Sequence, residues 1–546
     1  MVILIAVGGA IVRFMLAYNR PFFGDECGTM RYICYSWRYI LGHFDLWLTM
    51  NFFILLEKFI AQVFGEGFIA MRIISLAAGT GTILLGALVA AKLFNKQSVA
   101  LLTAVLLAAN PYLIDFSAKA RAYETFALFA LFLWVAFLRW RAAPNWINSI
   151  IVAGVCLLLI MNHLNGAFLF PWLIVVIGLE AFRVRHDTHQ YNHLKRGIKR
   201  LCIPMTVCVV GAGTYYFFLL QQIMRHNEPY QRIGYSFLKN IPDLFGAYCG
   251  GETGFIAGFC AVLFLAGIFS IMQTSRYTFL WMVLWIIIPL GSIAILGYSF
   301  STVHSGRFMI FTVPVVLMLI ALGFETVTAW FGRRVQQMLM PVMIIGIVLA
   351  WRPVITEQFA ECRRFPMHTV YKYIVENQSP GDRIVGIEYS TLLYITPYMP
   401  CAERKVASES NDIFRVVLSV VPELMKHTEA GKIFVVAPWS DIPTFGAQTT
   451  RFGDVRVSVL PPEPSAERYK RLLNGYEKAA QEPQQGKQTA QRFKIYLALA
   501  DLATLRGDAK MAGYFNGIAQ KDKGASALYS FLFKNSRFAD NEREGL

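Results

Sequence analysis

Two sets of chemically active residues lie at the ends of long apolar segments. Asp25 and Glu26 are adjacent, a few residues after the apolar run VILIAVGGAIVRFMLAY that opens the sequence. The other set is cationic and polar and comprises Lys119, Arg121, Tyr123, Glu124, His163, His304 and Arg307. Carboxylates suit the proton of an acceptor hydroxyl or a developing positive centre, whereas Arg and Lys suit phosphate. These residue types therefore predict a site with one half for a hydroxyl and one half for a phosphate.

The acidic pair also permits metal chemistry. Asp25, Glu26 and His43 could together hold a divalent cation, because hard metal ions favour carboxylate ligands. The spacing H-x-x-H-x-x-x-H in residues 186–193 also looks metal-like, but it lies in a basic loop and is interpreted as solvated. The residue types therefore leave a divalent cation at the acidic pair open.

The composition places these residues in a membrane protein. Of the 546 residues, 56% are hydrophobic and 16% are charged, whereas soluble domains have about 45–50% and about 25%. A net charge of +16 is compatible with nucleic acid, but the basic residues lie between apolar runs and are interpreted as membrane-flanking charge. Membrane lipids are expected partners, and nucleic acid is not.

The apolar segments predict a polytopic all-α membrane protein. A crossing needs about 20 mostly apolar residues. Eleven segments meet this need, near 2–18, 67–91, 98–116, 122–138, 146–161, 164–181, 201–222, 254–272, 277–298, 307–328 and 337–352. No small-residue cleavage site follows the first one, so it is interpreted as a retained anchor and not as a signal peptide.

The loop charges predict the orientation. If the N-terminus is cytoplasmic, every inside loop is basic and nearly free of acid, as in FRVRHDTHQYNHLKRGIKR, which satisfies the positive-inside rule. The acidic pair and residues 115–126, 162–165 and 298–308 then all face outward. We predict a multi-pass protein of the inner (plasma) membrane, with its active site extracytoplasmic.

The sequence changes character after residue 353. The short β-type runs DRIVGIE, GKIFVVAP and DVRVSVL alternate with helical segments. The predicted domains are 1–352 in the membrane, 353–463 as an extracytoplasmic α/β domain, and 464–546 as a helical tail. The nine cysteines do not form a disulfide framework, although an oxidising compartment would permit a bridge such as Cys362 to Cys401.

The order of these segments resembles the GT-C membrane glycosyltransferases. The resemblance rests on the GDE after the first span, the amphipathic CGTMRYICYSWRYILG and NFFILLEKFIAQVFG, and the segments NPYLIDFSAKARAY, MNHLNGAF and HSGRFMIFTVPVVLMLIALG. It covers roughly residues 1–352 and is strongest to the protein O-mannosyltransferase and lipid A aminoarabinose transferase family. The WWDYG motif of oligosaccharyltransferases is absent, which favours a single sugar on a polyprenyl monophosphate.

The resemblance implies an inverting transfer of that sugar to a hydroxyl of a glycan, lipid or protein. It also implies that no metal or other cofactor is required, with the divalent cation at the acidic pair as the alternative. Asp25 would be the general base, and Glu26 would contact the sugar or the hydroxyl. Each has a structural alternative. Asp25 would also suit the N-cap of a helix beginning near Cys27, and Glu26 a first-turn partner of the helix dipole.

For the phosphate half, the resemblance implies that Arg121 and Arg307 hold the lipid phosphate, with Lys119 and His163 as weaker candidates. The remaining candidates for the site are His43, Tyr123, Glu124 and His304. Here too the alternatives are structural. The arginines could be interface anchors, Lys119 a solvated residue, and His163 a hydrogen-bonded helix-end histidine.

Two non-enzymatic functions compete with this interpretation. One is a lipid-carrier flippase or transporter with an outer docking domain, and the other is a scaffold that recruits envelope partners through its tail. A transporter is expected to carry ionisable groups or broken helices near the middle of the membrane. The sequence indicates no mid-span charge cluster and no internal repeat, so the enzyme is favoured.

Overall fold

The computed structural model of the protein describes most of the chain. The described residues are 1–22, 25–42, 50–226, 237–250, 254–295, 305–364, 366–379, 382–386, 425, 431–438, 448–452, 455–481 and 489–521. The chain divides into two compact units. The first comprises Met1–Arg20 and Tyr35–Phe359, and the second comprises Pro21–Cys34 and Ala360–Leu546.

Helices dominate the described residues. In chain order they are α1 Val2–Asn19, α2 Asp25–Tyr32, α3 Trp37–Gly42, α4 Asn51–Phe64, α5 Ile73–Phe94, α6 Gln97–Ala109, α7 Pro111–Ser117, α8 Tyr123–Ala142, α9 Trp146–Asn162, α10 Leu169–Val184, α11 Thr188–His226, α12 Phe237–Tyr248, α13 Gly254–Thr274, α14 Arg276–Ile295, α15 Val313–Ala329, α16 Arg333–Arg364, α17 Met367–Asn377, α18 Ser465–Gln481, α19 Thr489–Leu505 and α20 Ala509–Lys521. Three 3₁₀ helices lie at Ala70–Arg72, Leu164–Phe168 and Ser305–Thr312.

The number of membrane-crossing helices differs from the eleven that the sequence predicts. Among the described residues, seven helices are long and apolar enough to cross, or eight if the bent pair α6–α7 forms one span. Two further apolar helices, Trp146–Asn162 and Arg276–Ser292, are shorter. At 17 residues, α9 reaches about 25 Å, which is less than the hydrocarbon thickness. The multi-pass helical class is confirmed, and the expected boundary at residue 352 falls inside α16.

A side chain from α1 stabilises the break between α6 and α7. The two helices bend by 58° at Pro111, which has no N–H to donate to the Leu107 carbonyl. The buried Arg13 guanidinium donates to the Leu107 and Ala108 carbonyls at 2.8 Å each. Asn110 caps α7 by accepting from the Leu113 N–H at 3.0 Å. The break thus satisfies its freed backbone groups within the protein, as it must inside a membrane.

Aromatic side chains fill the core of the first unit beside α8. Trp134 of α8 lies 4.9 Å from Trp172 of α10 and 5.3 Å from Trp285 of α14, measured between ring centroids. The Trp172 indole donates to the Trp281 carbonyl at 2.9 Å. These contacts hold α8, α10 and α14 together and fix the helix that begins at Tyr123.

The second unit contains a four-stranded sheet with apolar residues on both faces. Its strands are β1 Arg383–Gly386, β2 Ile433–Pro438, β3 Gln448–Phe452 and β4 Val455–Leu460, in the order β1-β2-β4-β3. Only the β1–β2 pair is parallel. The sequence predicted β1, β2 and β4, and the small α/β region is confirmed.

Alternate residues of β2 point to opposite faces of this sheet. Phe434 and Val436 pack with α17, whereas Ile433 and Val435 share a core with side chains of α18 and α19. The helices after residue 464 therefore bury an apolar face against the sheet.

The cysteines of the described residues are of two kinds. Cys34 is disulfide-bonded. Cys27, Cys156, Cys202, Cys208, Cys249 and Cys260 are free thiols. The side chains of Cys362 and Cys401 lie outside the described residues, so the pairing suggested for them is not addressed.

Candidate functional site

Four of the predicted site residues converge in the first unit. The Arg121 Cζ atom lies 5.7 Å and the Arg307 Cζ atom 5.5 Å from the centroid of the Tyr123 ring. The His163 ring lies 5.9 Å from the same ring, centroid to centroid. We call Arg121, Tyr123, His163 and Arg307 the Tyr123 cluster. Residues that are far apart in the sequence thus meet at one aromatic ring.

The ends of α8 and α9 position two members of this cluster. Arg121 lies in the turn before α8, where the Ser75 hydroxyl donates to its carbonyl at 3.2 Å. Asn162, the last residue of α9, donates to the Ala122 carbonyl at 3.1 Å and accepts from the Thr125 hydroxyl at 2.9 Å. These bonds tie the end of α9 to the start of α8 and place His163 beside Tyr123.

His163 is neutral and keeps a donor available. Burial, followed by the charges of Arg121 and Arg307, lowers its pKa to about 3. The Nδ1 atom accepts from the Asn165 N–H at 3.2 Å, so the ring proton is on Nε2. Nε2 is buried and has no hydrogen-bond partner within the described part of the chain. A phosphate oxygen is the kind of acceptor that this N–H could serve.

Arg307 is positioned through the 3₁₀ helix Ser305–Thr312. The Tyr248 hydroxyl donates to the Gly306 carbonyl at 3.0 Å, and Asn110 donates to the Tyr248 carbonyl at 2.8 Å. A Cβ atom on Gly306 would lie 2.4 Å from Leu244 Cδ1, so this 3₁₀ helix packs closely against α12. The α6–α7 break is thereby linked to the backbone that presents Arg307.

Lys119 has a different environment from Arg121. Its ammonium lies 2.5 Å from Asp115 Oδ2, and Arg20 lies 2.5 Å from Asp115 Oδ1. Its Nζ atom also lies 4.6 Å from the Phe116 ring centroid. Because Asp115 compensates part of its charge, we expect Lys119 to be a weak phosphate ligand.

Glu124 faces the interior of the first unit. Its side chain is fully buried, and its main electrostatic partner is Arg13. It therefore interacts with the side chain that stabilises the α6–α7 break, although it follows Tyr123 directly in the sequence.

The acidic pair belongs to the second unit. Helix α2 spans Asp25–Tyr32. Asp25 and Glu26 are therefore residues of its first turn, where the helix dipole favours negative charge. Glu26 is fully buried. The Asp25 side chain, His43 and His304 lie outside the described residues.

The described residues do not contain a set of side chains that could act as metal ligands. Among them, no three His, Cys, Asp or Glu side chains are grouped so as to hold a metal ion. His189 and His193 lie at the start of α11. The cation alternative at the acidic pair depends on the side chains of Asp25 and His43, which lie outside the described residues.

Sequence reasoning missed the residues that position the cluster. Arg13, Asn110, Asn162 and Tyr248 were not predicted, and the interaction of Arg13, inside α1, with Glu124 was not foreseen when no mid-span charge cluster was expected. One signal was present, because an Arg in the middle of an apolar run is costly and usually has a specific partner. The Asn110–Pro111 step likewise indicated a helix boundary.

Comparison with known proteins identifies the fold. No protein-family model and no curated protein matches the sequence. ArnT of Cupriavidus metallidurans in the apo state matches with a TM-score of 0.55 at 14% identity, over 84% of this chain and 97% of ArnT. The same protein bound to undecaprenyl phosphate matches with a TM-score of 0.53 at 13% identity, with the same coverage. ArnT is a lipid A aminoarabinose transferase of the GT-C fold. This protein therefore has the GT-C fold, as its sequence predicted.

Proposed function

We propose that the protein transfers a single sugar from a polyprenyl-phosphate donor to an acceptor hydroxyl, with inversion at the anomeric carbon. The observation that carries the proposal is the Tyr123 cluster, where two guanidinium groups and a neutral imidazole N–H surround one ring. The likeness to ArnT, which has been crystallised with undecaprenyl phosphate, supports a lipid phosphate as the ligand.

The Tyr123 cluster provides the phosphate half of the reaction. Arg121 is 6% exposed, and Arg307 also lies 5.2 Å from the Phe308 ring. Aromatic packing of this kind restricts the guanidinium groups before the ligand arrives, which lowers the entropic cost of binding. Their planar forks would bind the phosphate oxygens, and His163 Nε2–H would donate to another oxygen.

The acid–base half is proposed from the sequence. Asp25 would accept the hydroxyl proton while the acceptor oxygen forms a bond to the anomeric carbon. The bond from that carbon to the phosphate oxygen breaks, and its electron pair leaves with the polyprenyl phosphate. Attack opposite the leaving group inverts the configuration. Glu26 would contact the sugar.

We also propose that the acidic pair faces the outer side of the inner membrane. The charge pattern of the loops supports this orientation. The disulfide bond of Cys34, in the same unit as the pair, supports it independently because structural disulfides persist in oxidising compartments.

A lipid flippase or transporter is the second candidate, and the α6–α7 break with its buried Arg13 favours it. Transporters often contain broken helices and ionisable groups within the membrane. However, Arg13 already donates to three backbone carbonyls and to Ser117. This arrangement explains Arg13 as a structural residue, so the enzyme is the better-supported proposal.

The test is to incubate the purified protein with a panel of polyprenyl-phosphate sugars and candidate acceptors. Release of polyprenyl phosphate, together with an inverted anomeric configuration in the product, is the expected result. The second candidate is tested in vesicles by accessibility of the same lipids from either side. Lipid movement across the bilayer without release from any donor would overturn the enzyme proposal.

A further inference from the structure

A polar cavity lies at the end of α8 opposite to the Tyr123 cluster. Helix α8 has 20 residues and spans about 30 Å, which is about the hydrocarbon thickness of a bilayer. The cavity has a volume of about 300 Å³ and is lined mainly by Arg141, Glu180, Arg183, His189, Gln190 and His193. It therefore lies at the other membrane interface, where lipid headgroups are found.

Two arginines flank one buried carboxylate in this cavity. Arg141 Nε lies 3.0 Å and Arg183 Nη2 2.8 Å from Glu180 Oε2. The two Arg side chains are 35% and 34% exposed, and the Glu180 side chain is 2% exposed. The arginines thus carry one positive charge in excess of the carboxylate and can still reach a ligand.

The second oxygen of Glu180 indicates what else a ligand must supply. Oε1 is buried and has no hydrogen-bond partner among the residues described. A buried carboxylate oxygen without a donor is costly. A ligand that carries a donor group next to its negative charge would satisfy both Oε1 and the arginines.

Packing holds the walls of the cavity in place. Arg141 lies 4.9 Å from the Trp281 ring centroid, and Arg183 lies 6.0 Å from that of Tyr277. A Cβ atom on Gly197 would lie 2.3 Å from Pro144 Cβ, so α11 approaches the α8–α9 loop closely. The walls of the cavity therefore come from three helices that pack together, α8, α10 and α11.

We propose that this cavity binds the headgroup of an anionic phospholipid that bears hydroxyl groups, of the phosphatidylglycerol type. The phosphodiester would bind Arg141 and Arg183 and would balance their excess charge. A glycerol hydroxyl would donate to Glu180 Oε1. Aromatic residues at this level, such as Trp281 and Tyr277, are typical of the membrane interface, and basic residues near it attract anionic lipids. This inference is independent of sugar transfer.

The experiment measures lipid binding to the purified, delipidated full-length protein by native mass spectrometry. The probes are phosphatidylglycerol, phosphatidylcholine and inorganic phosphate. Phosphatidylglycerol should bind at least about ten-fold more tightly than phosphatidylcholine, which has no donor group. Equal binding of the two lipids would overturn the proposal. If millimolar inorganic phosphate saturates the cavity and displaces the lipid, the cavity is a site for small free anions. That result would overturn the lipid assignment.

Substitutions locate the binding. Arg183→Gln and Arg141→Gln should each weaken the binding of phosphatidylglycerol by about ten-fold or more, because each removes a charge-assisted hydrogen bond to the phosphodiester. Arg185→Gln is the matched control, since Arg185 does not line the cavity and packs on Phe182. It removes the same charge two residues away and should leave binding unchanged. Equal losses in Arg183→Gln and Arg185→Gln would show only a general attraction to basic charge. If Arg141→Gln does not fold, Arg183→Gln decides the question alone.

Discussion

Arg121→Gln tests whether the Tyr123 cluster binds a phosphate. Arg121 is nearly buried and packs on the Tyr123 ring, so its guanidinium is already held before a ligand arrives. A hydrogen bond to a charged group contributes about 1.5–3 kcal/mol, which corresponds to about 10- to 150-fold in affinity. The loss of the cation–π contact affects the free protein as well, so it should lower stability more than it lowers affinity.

The assay compares two ligands that differ only by the phosphate. Binding of undecaprenyl phosphate and of undecaprenol is measured on the purified protein, and the ratio of the two affinities isolates the phosphate contribution. We expect Arg121→Gln to reduce this ratio by about 10- to 150-fold and to leave undecaprenol binding unchanged. Arg121→Lys should restore only part of the ratio, because a point charge loses the bidentate fork.

Lys119→Gln is the matched control for this prediction. Lys119 lies two residues away and pairs with Asp115, so its removal should change the ratio much less. The reasoning is refuted if Arg121→Gln leaves the ratio as in the wild type. It is equally refuted if the affinities for both ligands fall together, since Arg121 would then be an interface anchor.

Three other predictions address the acidic pair, the orientation and the histidine. Asp25→Asn should lower sugar transfer by about two to four orders of magnitude in the donor-panel assay, with a smaller loss for Glu26→Gln; full activity in Asp25→Asn would remove the pair from the mechanism. A reporter fused after residue 360 should be active outside the cytoplasm and one within 186–196 should be active inside it, and the reverse pattern would refute the orientation. His163→Phe should weaken binding of undecaprenyl phosphate by about ten-fold or more, because Nε2–H donates to a charged phosphate oxygen. Because the pKa of His163 is lowered to about 3, the contribution of His163 to binding should be constant from pH 5 to 8. A change in affinity near pH 6.5 that is present in the wild type and absent in His163→Phe would contradict the assignment.

The sequence predicted that the residues of the Tyr123 cluster lie on one side of the membrane domain, because topology is readable from charge. Arg121, His163 and Arg307 each follow or precede an apolar run, and the positive-inside rule assigns all three to one face. Arg121 was ranked above Lys119, two residues away in the same turn, from the resemblance and not from any contact of either residue. The contact that distinguishes them is made by Asp115, which pairs with Lys119 and with Arg20 from the end of α1, and such a contact is visible only after folding.

The helix break shows a second limit of sequence reasoning. A hydropathy window treats residues 98–116 as one span, although Pro111 divides it. The break survives inside the membrane because Arg13, 95 residues from Ala108, supplies the missing donors. Likewise, the helices after residue 464 look like a tail until β2 is seen to present apolar residues to both faces. In both cases the decisive partner is distant in the chain.

The neutral state of His163 fits the charge change that the proposed reaction requires. The donor is a phosphodiester with one negative charge, whereas the departing polyprenyl phosphate is a monoester that approaches two negative charges near neutral pH. Fixed cations at Arg121 and Arg307 therefore interact more strongly with the leaving phosphate than with the bound donor, and this difference is what accelerates a reaction. A protonated His163 would add a third charge and would also hold the product more tightly. Burial, assisted by the two arginines, keeps His163 neutral. This retains its hydrogen bond while limiting the positive charge that opposes release of the lipid.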